Sequence, residues 1–348
     1  MNKANFSNTN STIRATRLSE VYFMSEEAWI DLGSESSAMA TRVMGGDDST
    51  LTVYVHGGRH HVDEVVAVAL LSLLGRRLDV HEVDRAELSR GFNPPTGLVI
   101  DCGREFDPAR GRFDHHELDL VHGGIKDVDG TQLKYSAAGL VWRYFSAPIV
   151  HRLAAVNGVP ASLRSLKSIA ERVQAVLLNA VDAQDNGQLL TPNDGKAPEL
   201  SVRGLLTSIC SASEVGMKFT DMVAVARAML GGYLVSQVKG APTMDRIVDT
   251  FAKAVDSGSR VVFLEPGDDR HYKSALATDP ELYARAEGVV QYVAILGSCT
   301  VSAFRRKRGG VNCDFSSIRV DASKVRFRTP GSICFKNGED ALEFLKSV

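Results

Sequence analysis

The chain has 348 residues, of which 44% are hydrophobic and 24% charged, with a mean hydropathy of -0.07. That balance describes a globular protein with apolar residues enough for a sizeable core and excludes broad disorder. A formal net charge of -2 excludes a generic polyanion binder, so any nucleic-acid contact has to come from a local patch.

Residues 1–48 are polar, run into Gly-Gly-Asp-Asp-Ser (45–49), a loop signal, and read as an N-terminal extension. They carry no signal-peptide apolar core, and the early Glu20, Glu26 and Glu27 speak against a transit peptide. LTVYV (51–55) and GLVID (97–101) are short β-branched strand candidates, and LDVHEV (78–83) is another. Between the first two, VDEVVAVALLSLLG (62–75) is apolar nearly all round, which predicts a buried helix closed by Gly75. Strand, helix, strand, loop, strand is the start of a parallel α/β sheet. SAAGLVWRYF (136–145) and SLKSIAERVQAVLLNAV (165–181) predict helices with serine N-caps. Turn formers at 188–200 predict a linker or surface loop, followed by two helices at 218–238 and 243–256. Strand candidates at 260–265, 289–296 and 300–304 and a last helix, EDALEFLKSV, complete the chain. The expected organisation is an extension over 1–48, a catalytic domain over 49–200 and a smaller α+β domain over 201–348. No apolar run reaches the roughly 20 residues that cross a bilayer, so no membrane partner is expected. The five cysteines form no CxxC pair, which argues against a disulfide framework or thiolate zinc site and predicts a reducing cytoplasm.

Seven of the nine histidines lie between positions 56 and 122. His56-Gly57-Gly58-Arg59-His60-His61-Val62-Asp63-Glu64 and Asp114-His115-His116 each follow a predicted strand, where open α/β sheets build their sites. Asp101 ends the GLVID strand, and Asp182 and Asp185 sit at a predicted helix end in VDAQDNG. Each residue alone has an ordinary explanation: His60 as a loop residue, Asp185 as a turn residue, Glu64 as a carboxylate favoured by the helix dipole. Four such segments in one α/β half instead suit two divalent ions held by imidazole and carboxylate, Mn, Fe or Zn, which activate water for attack on phosphorus. Cys102 reads as a buried small residue rather than a nucleophile.

The string H-x-G-x-x-H-x-D-E over 56–64 resembles the first motif of the MYG1 (UPF0160) family, within the wider DHH phosphoesterase superfamily. The order continues: VIDCGREFDPARGRFDHH (99–116) resembles VVDxGGxYDPxxxRYDHH, KYSAAGLVW (134–142) resembles KLSSAGLVY, and AVDAQDNG (180–187) resembles EVDAxDNG. The resemblance covers 56–187 specifically and the remainder weakly. It implies a DHH-type parallel-sheet catalytic domain with a smaller C-terminal domain, and two divalent ions, Mn2+ ahead of Mg2+. It further implies His56 and His61 on the first ion, Asp63 and His115 on the second, and Asp101 bridging both. Asp185, or Asp182 one turn earlier, would be the last ligand, with the DNG string favouring Asp185. His116 would meet the scissile phosphate and Asp114 would orient a histidine. Two positions depart from the family pattern: His60 stands for the usual aromatic, so that register selects His61 as ligand, and Arg104 stands for a glycine.

Arg305-Arg306-Lys307-Arg308 is the strongest charge cluster; as a solvated hairpin tip it needs no function, and as a phosphate clamp it would resemble an arginine of the DHHA1 substrate domain. Arg305 and Arg306 are the better clamp candidates, with Lys273 and Arg104 behind them. Tyr272, Phe304 and Phe315 are either core residues or base-stacking platforms. The expected activity is metal-dependent 3'→5' exonucleolytic hydrolysis of single-stranded RNA or DNA or a short oligonucleotide. A small dinucleotide or phosphoanhydride substrate, and a silent nucleic-acid-binding subunit, are the alternatives; homo-oligomerisation is left open.

Overall fold

The computed structural model describes residues 50–116, 124–128, 130–188, 216–295, 297–304, 311, 312, 315 and 318–347. The N-terminal extension and the basic run with Arg305 and Arg306 lie outside these residues. Among the described residues no helix is long and apolar enough to cross a membrane.

The first sheet has five strands: β1 (Leu51–His56), β2 (Leu78–Val83), β3 (Leu98–Ile100), β4 (Phe106–Asp107) and β5 (Arg112–Phe113). Their order is β2-β1-β3-β5-β4. The first four in that order run parallel, and β4 closes the edge antiparallel to β5. Parallel strands need both faces covered, and β3 is accordingly buried along its whole length. The expected buried helix is α1 (Val62–Ser72), with every residue from Val62 to Leu71 inside. Gly75 follows at φ 80°, a left-handed conformation that strains any other residue, and a Cβ there would also displace the Arg152 guanidinium. After α2 (Arg85–Ser89), the long helix α3 (Ala137–Val156) packs on α1.

Ser136 caps α3 as predicted, its Oγ accepting from Gly139 N–H at 3.4 Å. The second serine cap is Ser162 rather than Ser165: Ser162 Oγ accepts the Ser165 N–H at 3.1 Å, starting α4 (Leu163–Val173) three residues earlier. A π-helical stretch, Gln174–Leu178, joins α4 to α5 (Asn179–Asp185). Such wide turns recur at functional sites, and this one sits just before the acidic pair. A short hairpin of β6 (Ile125–Val128) and β7 (Thr131–Lys134) precedes α3, where sequence reading expected no strands.

Where two helices were predicted at 218–238 and 243–256, the chain forms one, α6 (Phe219–Asp256), with Pro242 inside it. Proline removes one backbone donor and strains the preceding turn. Here packing on either side overrides that local penalty. Residues up to Ala241 belong to the core of the first sheet, and those from Ile247 to a second core. The apolar cores therefore separate within a helix, whereas the expected division after residue 200 falls outside the described residues. Beyond α6 lie β8 (Val261–Leu264), α7 (Tyr272–Leu276), α8 (Pro280–Val289), β9 (Tyr292–Ile295), β10 (Thr300–Ala303), β11 (Val325–Thr329), β12 (Ser332–Phe335) and α9 (Gly338–Ser347). They form a mixed sheet, β11-β12-β10-β9-β8, in which only β8 and β9 pair in parallel. The molecule is α/β with a parallel-rich first sheet and an α+β second half.

Candidate metal centre

Because β1, β3 and β5 are parallel, their carboxyl ends share one edge of the sheet. His56 ends β1, Asp101 follows β3, and Asp114, His115 and His116 follow β5. The N-terminus of α1 brings His61 and Asp63 to the same edge, and α5 brings Asp185.

Asp101 is the centre of the cluster. Its Oδ2 lies 3.6 Å from His56 Nε2 and 3.9 Å from His61 Nδ1. Its Oδ1 lies 3.3 Å from His115 Nε2 and 3.5 Å from His116 Nδ1. One oxygen thus faces each histidine pair, as a carboxylate bridging two ions would. The residue holds this position in the left-handed region, at φ 54°, which costs a non-glycine residue about 1–2 kcal/mol. Strain of that kind persists only where the surroundings enforce it. Around the other end of the cluster, His115 Nε2 stands 3.0 Å from Asp185 Oδ2 and 3.7 Å from Asp63 Oδ2.

Most of these separations exceed a good N–H···O bond, about 2.7–3.2 Å, and match the spacing of donors around a shared ion. The buried polar atoms agree. Asp63 Oδ1, both oxygens of Asp101, Glu64 Oε2 and His115 Nε2 are buried with no hydrogen-bond partner. Each such atom costs about 1–3 kcal/mol if left so. Imidazole and carboxylate donors fit Mn, Fe or Zn, so the residues present fit the divalent ions expected from the sequence.

Electrostatics point the same way. Burial, together with the charges of Asp101 and Asp185, pushes the Asp63 carboxyl well above the usual carboxylate range. Burial opposes charge on His115, but Asp101 and Asp185 override it and raise its pKa to about 11. His56 rises to about 9 in the same way, against burial, through Asp101 and Glu64. Asp101 falls to about 2, with His115 and His56 outweighing its burial. The cluster demands positive charge, and without a metal only protonated histidines supply it.

The open face is lined by His61 and His116, whose side chains are 52% and 53% exposed. His116 Nδ1 donates to Asp114 Oδ1 at 2.8 Å, and its backbone N–H reaches the same oxygen at 2.9 Å. Asp114 Oδ2 accepts from the backbone N–H of Arg104 at 2.6 Å. Arg104 itself is exposed and sits at φ 56°, in the left-handed region that favours glycine. Its backbone N–H thus supports the site through Asp114.

Asp182 is placed elsewhere. It is fully buried, its Oδ1 accepting from Ser136 N–H at 2.9 Å and Ser136 Oγ at 2.6 Å, and its Oδ2 pairing with Lys126 from β6. A side chain at Gly139 would collide with it, a Cβ coming within 2.3 Å of Oδ1. Asp182 therefore anchors the start of α3, leaving Asp185 as the acidic residue that meets His115. That anchoring has a use in the site, because the next amide, Ala137 N–H, donates to Asp63 Oδ2 at 3.2 Å.

Glu64 is the expected first-turn carboxylate, its side chain capping the His61 N–H, but it and His60, read as a solvated loop residue, are both buried, and His60 Nδ1 donates to Glu64 Oε1 at 2.8 Å. The signal was available, since a helix apolar on all sides must bury Glu64 too. Lys126 left no local signal. Tyr272, Phe304 and Phe315 are core residues, packed ring on ring with Phe251, Tyr283 and Tyr292. Lys273 lies half-buried on α7, and burial pushes the Cys102 thiol upward in pKa.

The chain is 31% identical over 162 residues to the MYG1 exonuclease of Mus musculus, covering 45% of this chain and 40% of that protein. It is 31% identical over 138 residues to the MYG1 exonuclease of Homo sapiens, covering 38% and 34%. An MYG1 protein of Saccharomyces cerevisiae is 26% identical over 203 residues, covering 54% and 56%. The matched stretch thus spans well under two thirds of these relatives. The crystal structure of RecJ in complex with Mn2+ from Thermus thermophilus aligns with 91% of this chain and 53% of that one. The two are 16% identical, with a TM-score of 0.25. The sequence model of the uncharacterised protein family UPF0160 matches residues 52–305. That is most of the chain and takes in every residue of the cluster, and the chain belongs to the MYG1 (UPF0160) family.

Proposed function

We propose that this protein is a metal-dependent phosphodiester hydrolase, acting as a 3'→5' exonuclease on single-stranded RNA or DNA with two Mn2+ ions. The observation that carries the reading is Asp101: a buried, backbone-strained carboxylate whose two unpartnered oxygens face two separate histidine pairs. The exonuclease names of the mouse and human relatives support the reaction class. His56, His61 and Asp101 would hold one ion; Asp101, Asp63, His115 and Asp185 the other. Ions bound there supply a water activated for attack and charge stabilisation on phosphoryl oxygens.

The chain's own residues do the rest. Strand ends and helix termini hold the ligands on rigid backbone, as the geometry requires. Asp114 orients His116 by accepting from Nδ1 and raises its pKa, which favours the imidazolium, whose Nε2–H could donate to a phosphate oxygen or give its proton to the departing one. The backbone of Arg104 holds Asp114 in turn, and the Arg104 side chain beside it, with Arg305, Arg306 and Lys273 further along the chain, is proposed to meet the phosphates. Cysteine usage supports a cytoplasmic location.

The test is turnover of a 5'-labelled single-stranded RNA and a matching DNA, with Mn2+ or with EDTA, by the wild type and by Asp101→Asn. A ladder that shortens from the 3' end, lost with EDTA and in the variant, is the expected result. Intact polymers, with metal shown to be bound, would replace this reading with a small phosphorylated substrate.

A further inference from the structure

Glu64 has no place in the ligand set described above, yet it is fully buried against it. Its Oε1 is satisfied, accepting from His60 Nδ1 at 2.8 Å and from the His61 backbone N–H at 2.9 Å. Its Oε2 has no hydrogen-bond partner and lies 3.3 Å from His56 Nε2. Donors bound tetrahedrally at about 2.0–2.1 Å from one ion stand about 3.3 Å apart, so this separation is that of two ligands. One ligand atom from each of His56, His60 and Glu64 falls within 4.8 Å of the others.

The two rings are also held as metal-binding imidazoles are held, with the second nitrogen on an outer acceptor. His60 Nε2 is 3.4 Å from Glu82 Oε2, and His56 Nδ1 is 3.3 Å from the Gly57 carbonyl. The His60 ring packs on Phe219 with centroids 4.4 Å apart, which fixes its plane. A plain hydrogen bond between His60 and Glu64 accounts for one carboxylate oxygen; a cation accounts for both.

We propose that His56, His60 and Glu64 form an additional transition-metal position, deeper than the one at His56, His61 and Asp101 and suited to Zn2+. Two imidazoles and one carboxylate with a fourth position left for water is a zinc donor set, whereas the oxygen-richer cluster at Asp63, Asp101 and Asp185 suits Mn2+. The ion replaces the proton shared by His60 Nδ1 and Glu64. His56 presents the same nitrogen, Nε2, to Glu64 and to Asp101, so an ion in the deeper position withdraws that ligand from the outer one. Zn2+ would then oppose Mn2+-dependent turnover, a consequence that rests on the function proposed above; the site itself does not.

The test reads binding and no turnover, so failure of the exonuclease reading leaves it intact. The full chain, stripped with EDTA, is titrated with Co2+, whose visible spectrum distinguishes four-coordinate from six-coordinate sites. The expected result is an intense four-coordinate band in the wild type that Zn2+ abolishes. His60→Phe keeps the ring on Phe219 and Glu64→Gln keeps the acceptor for His61 N–H. Each should weaken the Co2+ affinity behind the band by at least about tenfold. Asp101→Asn should keep the band while losing Mn2+, followed by the paramagnetic resonance of that ion. Far-ultraviolet circular dichroism checks that each variant is folded. Absence of a four-coordinate band in the wild type, a band indifferent to both His60→Phe and Glu64→Gln, or a band lost in Asp101→Asn would each overturn the proposal.

Discussion

The carboxyl edge of the first sheet and the second half of the molecule treat buried charge in opposite ways. In the second half, Asp268 is buried but fully met: Arg246 reaches it from α6 with Nη2 at 2.7 Å and Nε at 3.1 Å. Its aromatic residues likewise close on one another. At the carboxyl edge of the first sheet, five buried polar atoms have no partner and a buried aspartate sits at positive φ. Among the described residues the one other such atom is Arg152 Nε, away from the second half as well. Natural chains keep unmet polar groups and backbone strain where chemistry requires them and remove them elsewhere. The contrast locates the working edge without reference to any relative.

The sharpest way to break this comparison is Asp101→Asn. If the carboxylate serves two ions, turnover should fall at least about 10³-fold, more than the 10–100-fold typical of groups standing behind a ligand. Metal content by elemental analysis should fall with it. A variant that keeps both ions would remove the bridging role.

Next in size is Asp182→Asn, set against Arg246→Ala. Asp182 is fully buried with Lys126 as its ion-pair partner, so neutralising it should cost about 3 kcal/mol in urea unfolding. Because it anchors α3 above Asp63, metal affinity should drop as well. Arg246→Ala strips the buried Asp268 of its arginine and should cost about 2–3 kcal/mol, yet leave metal affinity alone. Equal effects on metal binding would erase the distinction between the halves.

The pH dependence follows from His56. Its pKa in the metal-free fold is raised from the ordinary 6.5 to about 9, burial being outweighed by Asp101 and Glu64. A raised histidine stabilises the metal-free fold fully below pH 6.5, and that contribution is lost as pH climbs through about 9. A ligating His56 must shed that proton, so metal affinity should rise across the same window and binding near neutral pH should release protons. Calorimetry in buffers of differing ionisation heat measures the release; none detected would mean that His56 is not a ligand.

The smallest expected effect is at Arg104. Replacing it with glycine relieves φ 56° and should add about 0.5–1 kcal/mol of stability, net of the extra freedom of the unfolded chain. If KM for a labelled oligonucleotide rises at the same time, the side chain is a phosphate contact; an unchanged KM confines its role to holding Asp114.

Much of this was legible in the residues because its signals are local. The β-branched runs at 51–55 and 97–101, the all-apolar helix between them and the clustering of histidines after strands all act within a few residues of chain. The two predicted helices that proved to be α6 show the limit. Pro242 is a local break signal, and two separate cores, each gripping one end of the helix, override it. The choice between Asp182 and Asp185 had the same character. Three residues apart on α5, they differ only in what other segments bring to them: Ser136 and Lys126 to one, His115 to the other.

The sequence by itself therefore determined which chemistry was available: imidazoles and carboxylates in strand-end segments, in an order shared with a known family. Side-chain type and spacing along the chain are covalent facts. The tertiary structure decided which of those groups meet, which carboxylate is spent on anchoring a helix, and that Glu64 and His60 face inward beside His56. Those outcomes depend on contacts between residues far apart in the chain, such as Lys126 with Asp182, Ala137 with Asp63 and His60 with Phe219, which are formed only when the whole core packs.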